Sequence, residues 1–251
     1  MSRVYNMDLD WGFSNDENTL LTNEGHRQIY LSTKAGTVKG PASKNFDDSH
    51  WRRVDLPHDY VIETDISQEN GNIDCHKKGS AWYRKCFSLD DTFSDKQIAI
   101  CFEGIAIQSE IYINGSLIRR SFSSYTEQFV DITDRVYIGG KPNTIAVHVN
   151  AESSLAECWS YEGGGIYRHV KLYAKNKFNH IAHNGIFVYP ELVDEDEKKW
   201  KLNVQTELEN ISYKDSSCDV NIQILDKDNV ILETNIIGVK IEANSNKIAI
   251  H

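Results

Sequence analysis

Apolar and polar residues trade places at every second position in a series of short runs: Trp82–Phe87, Gln97–Phe102, Ser109–Ile113, Thr144–Val149 and Ile166–Tyr173. A period of two sends successive side chains to opposite faces of an extended strand. Turn-forming residues separate the runs: Asn114-Gly115, Gly139-Gly140 with Pro142, and the triplet Gly163–Gly165. Many short strands punctuated in this way predict an all-β protein, a sandwich or jelly roll. No stretch has the 3.6-residue period of a long amphipathic helix, although Phe46–Arg53 has room for one turn. Within the first run, Trp82, Tyr83 and Arg84 predict one face in the core and the other toward solvent or a neighbouring domain.

The composition shifts near Asn176–His183, and a second series of runs follows: Gly185–Tyr189, Lys201–Glu209, Asp219–Leu225, Val230–Thr234 and Val239–Glu242. The charged stretch Asp194–Lys199 falls between the first two and predicts a solvated hairpin loop. This spacing fits an immunoglobulin-like sandwich, which takes about 100 residues, whereas roughly 70 remain. The last residues, Lys247–His251, read as part of a strand, so the second domain is expected to be incomplete. The expected division is a jelly-roll sandwich over 1–178 and an immunoglobulin-like sandwich over 179–251.

The 251 residues carry a net charge of −10, the opposite of what a phosphate-tracking nucleic-acid binder needs. No apolar run reaches the roughly 18 residues of a membrane-spanning helix. Met1–Asp10 is polar and has no apolar signal core. The five cysteines, Cys75, Cys86, Cys101, Cys158 and Cys218, are odd in number, widely spaced and without a C-x-x-C pair. A disulfide framework and a zinc site are therefore not expected. Cys86 and Cys101 sit in apolar runs and predict buried thiols. These features suit a cytoplasmic, reducing location. The nine histidines show no metal-ligand spacing, and no metal or cofactor is expected.

The stretch Glu157–Val170, E-C-W-S-Y-E-G-G-G-I-Y-R-H-V, concentrates Glu157, Glu162, Trp159, Tyr161, Tyr167 and three glycines in one loop. Aromatic faces beside acid groups suit a sugar, whose C–H face stacks on rings and whose hydroxyls donate to carboxylates. The plainer reading is a tight hairpin with a packed Trp. Glycines here permit positive φ, or the close approach of a ligand or neighbouring strand. Glu162 and Arg168 flank the turn and suggest a structural ion pair, with sugar contact as the other role open to Glu162. His58-Asp59 lacks any accompanying Ser or Cys nucleophile motif and predicts no independent catalytic dyad.

The words Y-E-G-G-G-I-Y-R-H-V preceded by E-x-W resemble a signature of glycoside hydrolase family 2, the β-galactosidase and β-glucuronidase family. Further segments resemble the family in its order: F-D-D-S-H-W-R-R-V-D-L-P-H-D-Y (Phe46–Tyr60), G-S-A-W-Y-R-K-C-F (Gly79–Phe87), I-Y-I-N-G-S (Ile111–Ser116), F-V-D-I-T-D (Phe129–Asp134) and P-N-T-I-A-V-H-V-N (Pro142–Asn150). The resemblance implies a jelly-roll, galactose-binding-like domain and an immunoglobulin-like domain preceding a catalytic (β/α)8 barrel. That barrel, which would be this chain's chief partner, holds both catalytic carboxylates of the family. No residue here is expected to be catalytic. Asn23-Glu24 superficially resembles the Asn-Glu pair of such barrels but is read as a surface turn. The resemblance further implies that Glu157 reaches a sugar or a pocket cation, while Trp159 and Tyr161 are candidate stacking faces. His58-Asp59 is expected to support the contact with the barrel. The implied parent enzyme hydrolyses terminal β-linked sugars, most of all β-galactosides, with β-glucuronides or β-mannosides as alternatives; a homo-oligomer is possible. The rival readings are a free-standing carbohydrate-binding module and a purely structural scaffold domain.

Overall fold

The computed structural model describes residues 3–15, 38–67, 76–152, 161–196 and 198–250. It has two compact units, Arg3–Ala174 and a second from Lys175 on. The first unit contains β1 (Arg3–Asn6), β2 (Trp11–Ser14), β3 (Arg52–Val54), β4 (Ser80–Ser88), β5 (Lys96–Phe102), β6 (Gln108–Ile113), β7 (Ser116–Ser121), β8 (Gln128–Asp131) and β9 (Pro142–Asn150), and β10 (Val170–Asn176) closes it. A four-stranded sheet runs β1-β10-β5-β8 and a six-stranded sheet runs β3-β2-β4-β9-β6-β7. Among the described residues there is no α-helix, only three-residue 3-10 turns such as Gly40–Ala42. Phe46–Arg53 forms a turn, closed by Trp51 N–H donating to the Asp48 carbonyl (3.0 Å), and then enters β3.

The core lies where alternation puts it. Ile98, Ile100 and Phe102 of β5 meet Tyr83, Ile111, Ile113, Ile145, Val147 and Val149 of the larger sheet, all essentially inaccessible to solvent. Each such aliphatic side chain contributes about 1.5–3 kcal/mol on burial. The hairpin β6–β7 turns through Asn114 (φ 49°) and Gly115 (φ 83°), the paired positive φ angles that an Asn-Gly turn supplies.

The structure corrects the expectation for the outward face of β4. Trp82 and Arg84 are as buried as the inward Tyr83. Val38, Ala42 and Trp51 cover Trp82, forming a second small core with Tyr112 and Ala146. Arg84 donates to the carbonyls of Pro41, Ser43 (2.9 Å) and Phe46 (3.4 Å), and lies 3.5 Å from Asp48. Its guanidinium also sits over the Phe46 ring, 5.4 Å from the centroid.

Three further expectations change. The last run of the first unit begins as a strand at Val170, not Ile166. Before that point the Ile166 carbonyl accepts from His58 N–H (2.9 Å) and the His169 carbonyl from Glu103 N–H (3.0 Å), so the backbone is tied to loops. Arg168 takes Glu103 as its ion-pair partner (3.8 Å) rather than Glu162. Cys86 is exposed, because it shares the outward face of β4 with Trp82 and Arg84 but lies farther along the strand than the segment that covers them. Cys101 is buried as expected, and burial, reinforced by Glu127 at 3.5 Å, pushes its thiol up to about 12.

The second unit contains β11 (His180–Asp194), β12 (Lys199–Asn210), β13 (Ser216–Asp226), β14 (Asn229–Ile241) and β15 (Ser245–Ile250). Sheets β11-β12-β15 and β13-β14 enclose a small core of Leu208, Val220, Val239, Ile241 and Ala249. The two runs expected at 230–234 and 239–242 are one strand, β14, interrupted by a register shift at Gly238 (φ 68°). The break in alternation is a bulge, not a turn. The charged hairpin loop lies where expected, with Asp194 opposite Lys199.

The two thiols should differ sharply. Ellman's reagent is expected to modify Cys86 on the order of 100-fold faster than Cys101 in the native protein, since Cys86 is open to the reagent while Cys101 is buried and its thiolate disfavoured. Peptide mapping of partly labelled protein would reveal equal labelling if this burial pattern were wrong. Cys75 and Cys158 lie outside the described residues.

Candidate functional site

Of the three candidate sugar contacts, Tyr161 is described, while Glu157 and Trp159 lie outside the described residues, as do Asn23 and Glu24. Tyr161 is 39% exposed. Its hydroxyl donates to Asp59 Oδ2 (2.8 Å), and its ring meets His76 edge-on at 5.6 Å.

Asp59 organises this region. Its Oδ1 accepts from the backbone N–H of Gly164 (2.9 Å) and of Val61 (3.0 Å). The Gly164 carbonyl in turn accepts from Tyr60 N–H (2.9 Å), and Gly165 exchanges two backbone hydrogen bonds with Ala106 (2.8 and 2.9 Å). The glycine loop is thus sewn to two separate segments. All three glycines are needed for this fit. A Cβ at Gly163 (φ 71°) would lie 2.3 Å from Asp59 Oδ2, and one at Gly164 would lie 2.5 Å from Val61. At Gly165 (φ 131°) it would lie 2.5 Å from the Tyr83 hydroxyl and 2.6 Å from the His58 carbonyl.

The other end of the intervening segment is also fixed. Ala151, wholly buried, donates its N–H to the Gly79 carbonyl (3.0 Å), and Tyr60 hydroxyl donates to the same carbonyl (2.6 Å). The described residues on either side, Ala151 just past β9 and the glycine loop, are thus each tied down by hydrogen bonds.

Next to Asp59, the largely buried His58 side chain joins a polar cluster whose other members, Arg52 and Glu63, reach solvent. His58 Nδ1 is 2.7 Å from the Tyr83 hydroxyl, and its Nε2 is 3.0 Å from Arg52 and 3.2 Å from Glu63. Arg52 also donates to Glu63 (2.6 Å). Arginine only donates, so Arg52 favours the tautomer in which Nε2 accepts and Nδ1 carries the proton. Burial holds the His58 imidazolium below the ordinary histidine range, and the nearby Glu63 opposes this only in part. Burial raises Glu63, but the Arg52 hydrogen bond and the charges of His58 and Arg52 outweigh it, so the carboxyl sits below its usual range. A cleft of about 450 Å³ opens beside the cluster, lined by Phe13, Trp51, Arg52, Tyr60 and Glu63 among others.

The sequence reading singled out His58-Asp59 but did not join it to the glycine loop. Asp59 and Gly164 are 105 positions apart, and no local pattern encodes that contact. The carboxylate that accepts the loop's N–H comes from the opposite segment.

Two antiparallel sheets over one core, with a clamped glycine loop at the edge, define the first unit as an antiparallel β-sandwich module. The chain belongs to glycoside hydrolase family 2: residues 4–176 match the family model described as "Glycosyl hydrolases family 2, sugar binding domain". It is 37% identical over 174 residues to β-galactosidase BoGH2A of Bacteroides ovatus, covering 68% of this chain and 20% of that protein. It is 33% identical over 152 residues to a putative β-glucuronidase of Formosa agariphila, covering 59% of this chain and 14% of that one. Among solved structures, a glycosyl hydrolase family 2 member from Bacteroides cellulosilyticus superposes with a TM-score of 0.83 at 26% identity, over 99% of this chain and 30% of that one. The chain thus spans about a fifth of the length of the curated β-galactosidase it matches.

Gly165→Ala should lower the melting temperature clearly more than Gly140→Ala, because Gly140 (φ 75°) has open space around its Cβ position. The control isolates the left-handed backbone cost of about 1–2 kcal/mol. Asp59→Ala, which orphans three donors, should cost about 1–3 kcal/mol or more. Equal melting temperatures for the two glycine variants would remove the close-packing argument.

His58 has a lowered folded-state pKa, so its stability contribution is full above the unfolded value near 6.5 and is lost as pH falls through the folded value. Carboxylates titrate lower, so the melting temperature should fall from pH 7 to about pH 5.5 mainly through buried histidines. His58→Gln should flatten this slope, and an unchanged slope would show that His58 is not the group responsible.

Proposed function

We propose that this chain is the non-catalytic sugar-binding part of a glycosidase that hydrolyses terminal β-linked sugars, most of all β-galactosides. In this reading the segment 153–165 forms one wall of the substrate pocket. Glu157 accepts a hydrogen bond from a sugar hydroxyl or binds a cation that does so, and Trp159 and Tyr161 offer ring faces to the sugar. Catalysis falls to residues of the whole protein outside these 251, where a retaining mechanism sets two carboxyl groups about 5–5.5 Å apart.

The observation that carries this reading is the double anchorage of the segment. The buried Ala151 fixes one end, and the Asp59 clamp on Tyr161 and Gly164 fixes the other. Tyr161 and the glycine loop are thereby held in place before any ligand arrives, which lowers the ordering cost of binding there. With its hydroxyl committed to Asp59, Tyr161 offers a sugar its half-exposed ring. The similarity to a named β-galactosidase favours galactosides. The putative β-glucuronidase among the relatives keeps β-glucuronides as the second specificity.

The isolated chain should not turn over chromogenic β-galactosides or β-glucuronides even at high protein concentration. In the whole enzyme, Glu157→Gln should lower kcat/KM by roughly one to two powers of ten with the melting temperature unchanged. That loss corresponds to a charge-assisted hydrogen bond of about 1.5–3 kcal/mol. A kcat/KM within a factor of about two of the parent would reduce the loop to a brace.

A further inference from the structure

The outward face of the six-stranded sheet has a second half that no segment covers among the described residues. There the register aligns two rows of side chains. In the first row, Arg120 of β7, Glu110 of β6 and His148 of β9 are direct cross-strand neighbours. In the second, Gln108 of β6 faces Asn150 of β9, and Phe122, just past β7, completes the row. These six residues line a single cleft of about 430 Å³. That volume is at the lower end of small-molecule pockets, about 300–1,000 Å³.

The chemistry of this cleft is specific. Glu110 is fixed on both oxygens: Arg120 Nε donates to Oε1 (2.8 Å) and the Tyr112 hydroxyl to Oε2 (2.6 Å). A carboxylate has about four lone-pair sites, so this one retains acceptor capacity toward the cleft. His148 stacks on the buried Trp82 ring at 4.8 Å, and burial keeps it toward the neutral form, partly opposed by Glu110. Asn150 Oδ1 accepts from Glu152 N–H (2.8 Å), which fixes the amide and leaves its NH₂ as a donor. The Gln108 side chain makes no hydrogen bond among the described residues, and Phe122 is 86% exposed. A charge-neutralised carboxylate–guanidinium pair, two planar amides and one exposed apolar ring offer donors and acceptors on one side and a stacking surface on the other. That pattern matches a ring carrying vicinal hydroxyls on its rim and C–H bonds on its face.

The geometry points to a second saccharide site on this sheet face: a neutral pyranoside stacks on Phe122 while its hydroxyls bond Gln108, Asn150 and Glu110. The inference stands on this face alone and does not depend on the role given to the 153–165 loop. A neutral sugar is favoured over an anionic one because Glu110 already satisfies Arg120. An open cleft displaces little water, so binding is weak, with a dissociation constant on the order of 1 mM or above.

Titration of the ¹⁵N-labelled 251-residue chain with methyl β-D-galactopyranoside and methyl β-D-glucopyranoside tests it. The Gln108 and Asn150 side-chain amide signals should shift together and saturate. Phe122→Ala should weaken binding about tenfold, as truncating an anchoring ring does, and leave the remaining spectrum intact. Gln108→Ala, also at an exposed position, gives an independent second loss. The site is overturned if neither amide shifts at about 100 mM sugar, well above the expected constant, or if both variants bind like the parent. It is also overturned if only methyl β-D-glucuronide binds. Shifts confined to Tyr161 and Gly163–Gly165 would refute this site while supporting the loop; shifts at Gln108 and Asn150 alone would support this site and leave the loop to the whole-enzyme test.

Discussion

One carboxylate, Asp59, determines where the glycine loop of this domain can be. It gathers two backbone N–H groups and a phenol from two segments that share no sheet ladder. Each of these donors would otherwise face the interior or compete with water, and an orphaned one costs about 1–3 kcal/mol. The glycine triplet is the steric complement of that clamp. Its backbone comes so near to Asp59, Val61 and Tyr83 that a methyl group at any of the three positions would collide. Charge and close packing thus act at the same place.

The six-stranded sheet divides its labour by face. Inward positions build an aliphatic core whose worth is area removed from water. Outward positions are split along the strands. One half is capped by residues 38–51 and sealed around Arg84. The other half carries polar rows that are fixed to one another but remain open on one side. Two strands, β6 and β9, run through both halves: Tyr112 and Ala146 lie under the cap, Glu110 and His148 in the open half.

The type and position of the main strands were legible in the sequence because the period-two alternation is a local signal. β4, β5, β6 and β9 lie within a residue or two of the expected runs. The positive-φ Asn114-Gly115 hairpin was equally plain. The failures have a common physical origin. Both faces of β4 are buried, Cys86 is exposed, and Arg168 turns to Glu103, and each of these is decided by a segment distant in sequence. The single long β14 was missed because a bulge interrupts alternation just as a turn does. The family motifs located both the glycine loop and Asp59, but not the bond between them, since a contact across about a hundred positions leaves no periodic trace.

Arg84 recognises its covering segment through the carbonyl oxygens of Pro41, Ser43 and Phe46. Carbonyl groups are the same whatever the side chain. The segment can therefore change its surface residues, such as the exposed Lys44 and Asn45, without loosening the attachment. The arginine has no such freedom, because neither the shorter reach nor the single ammonium of another cation would satisfy three acceptors spread over six residues. Chemical information is thereby stored on only one side of this contact. The cover becomes a permissive surface over a strict socket, and changes there alter what the domain presents to its surroundings while the fold beneath stays the same.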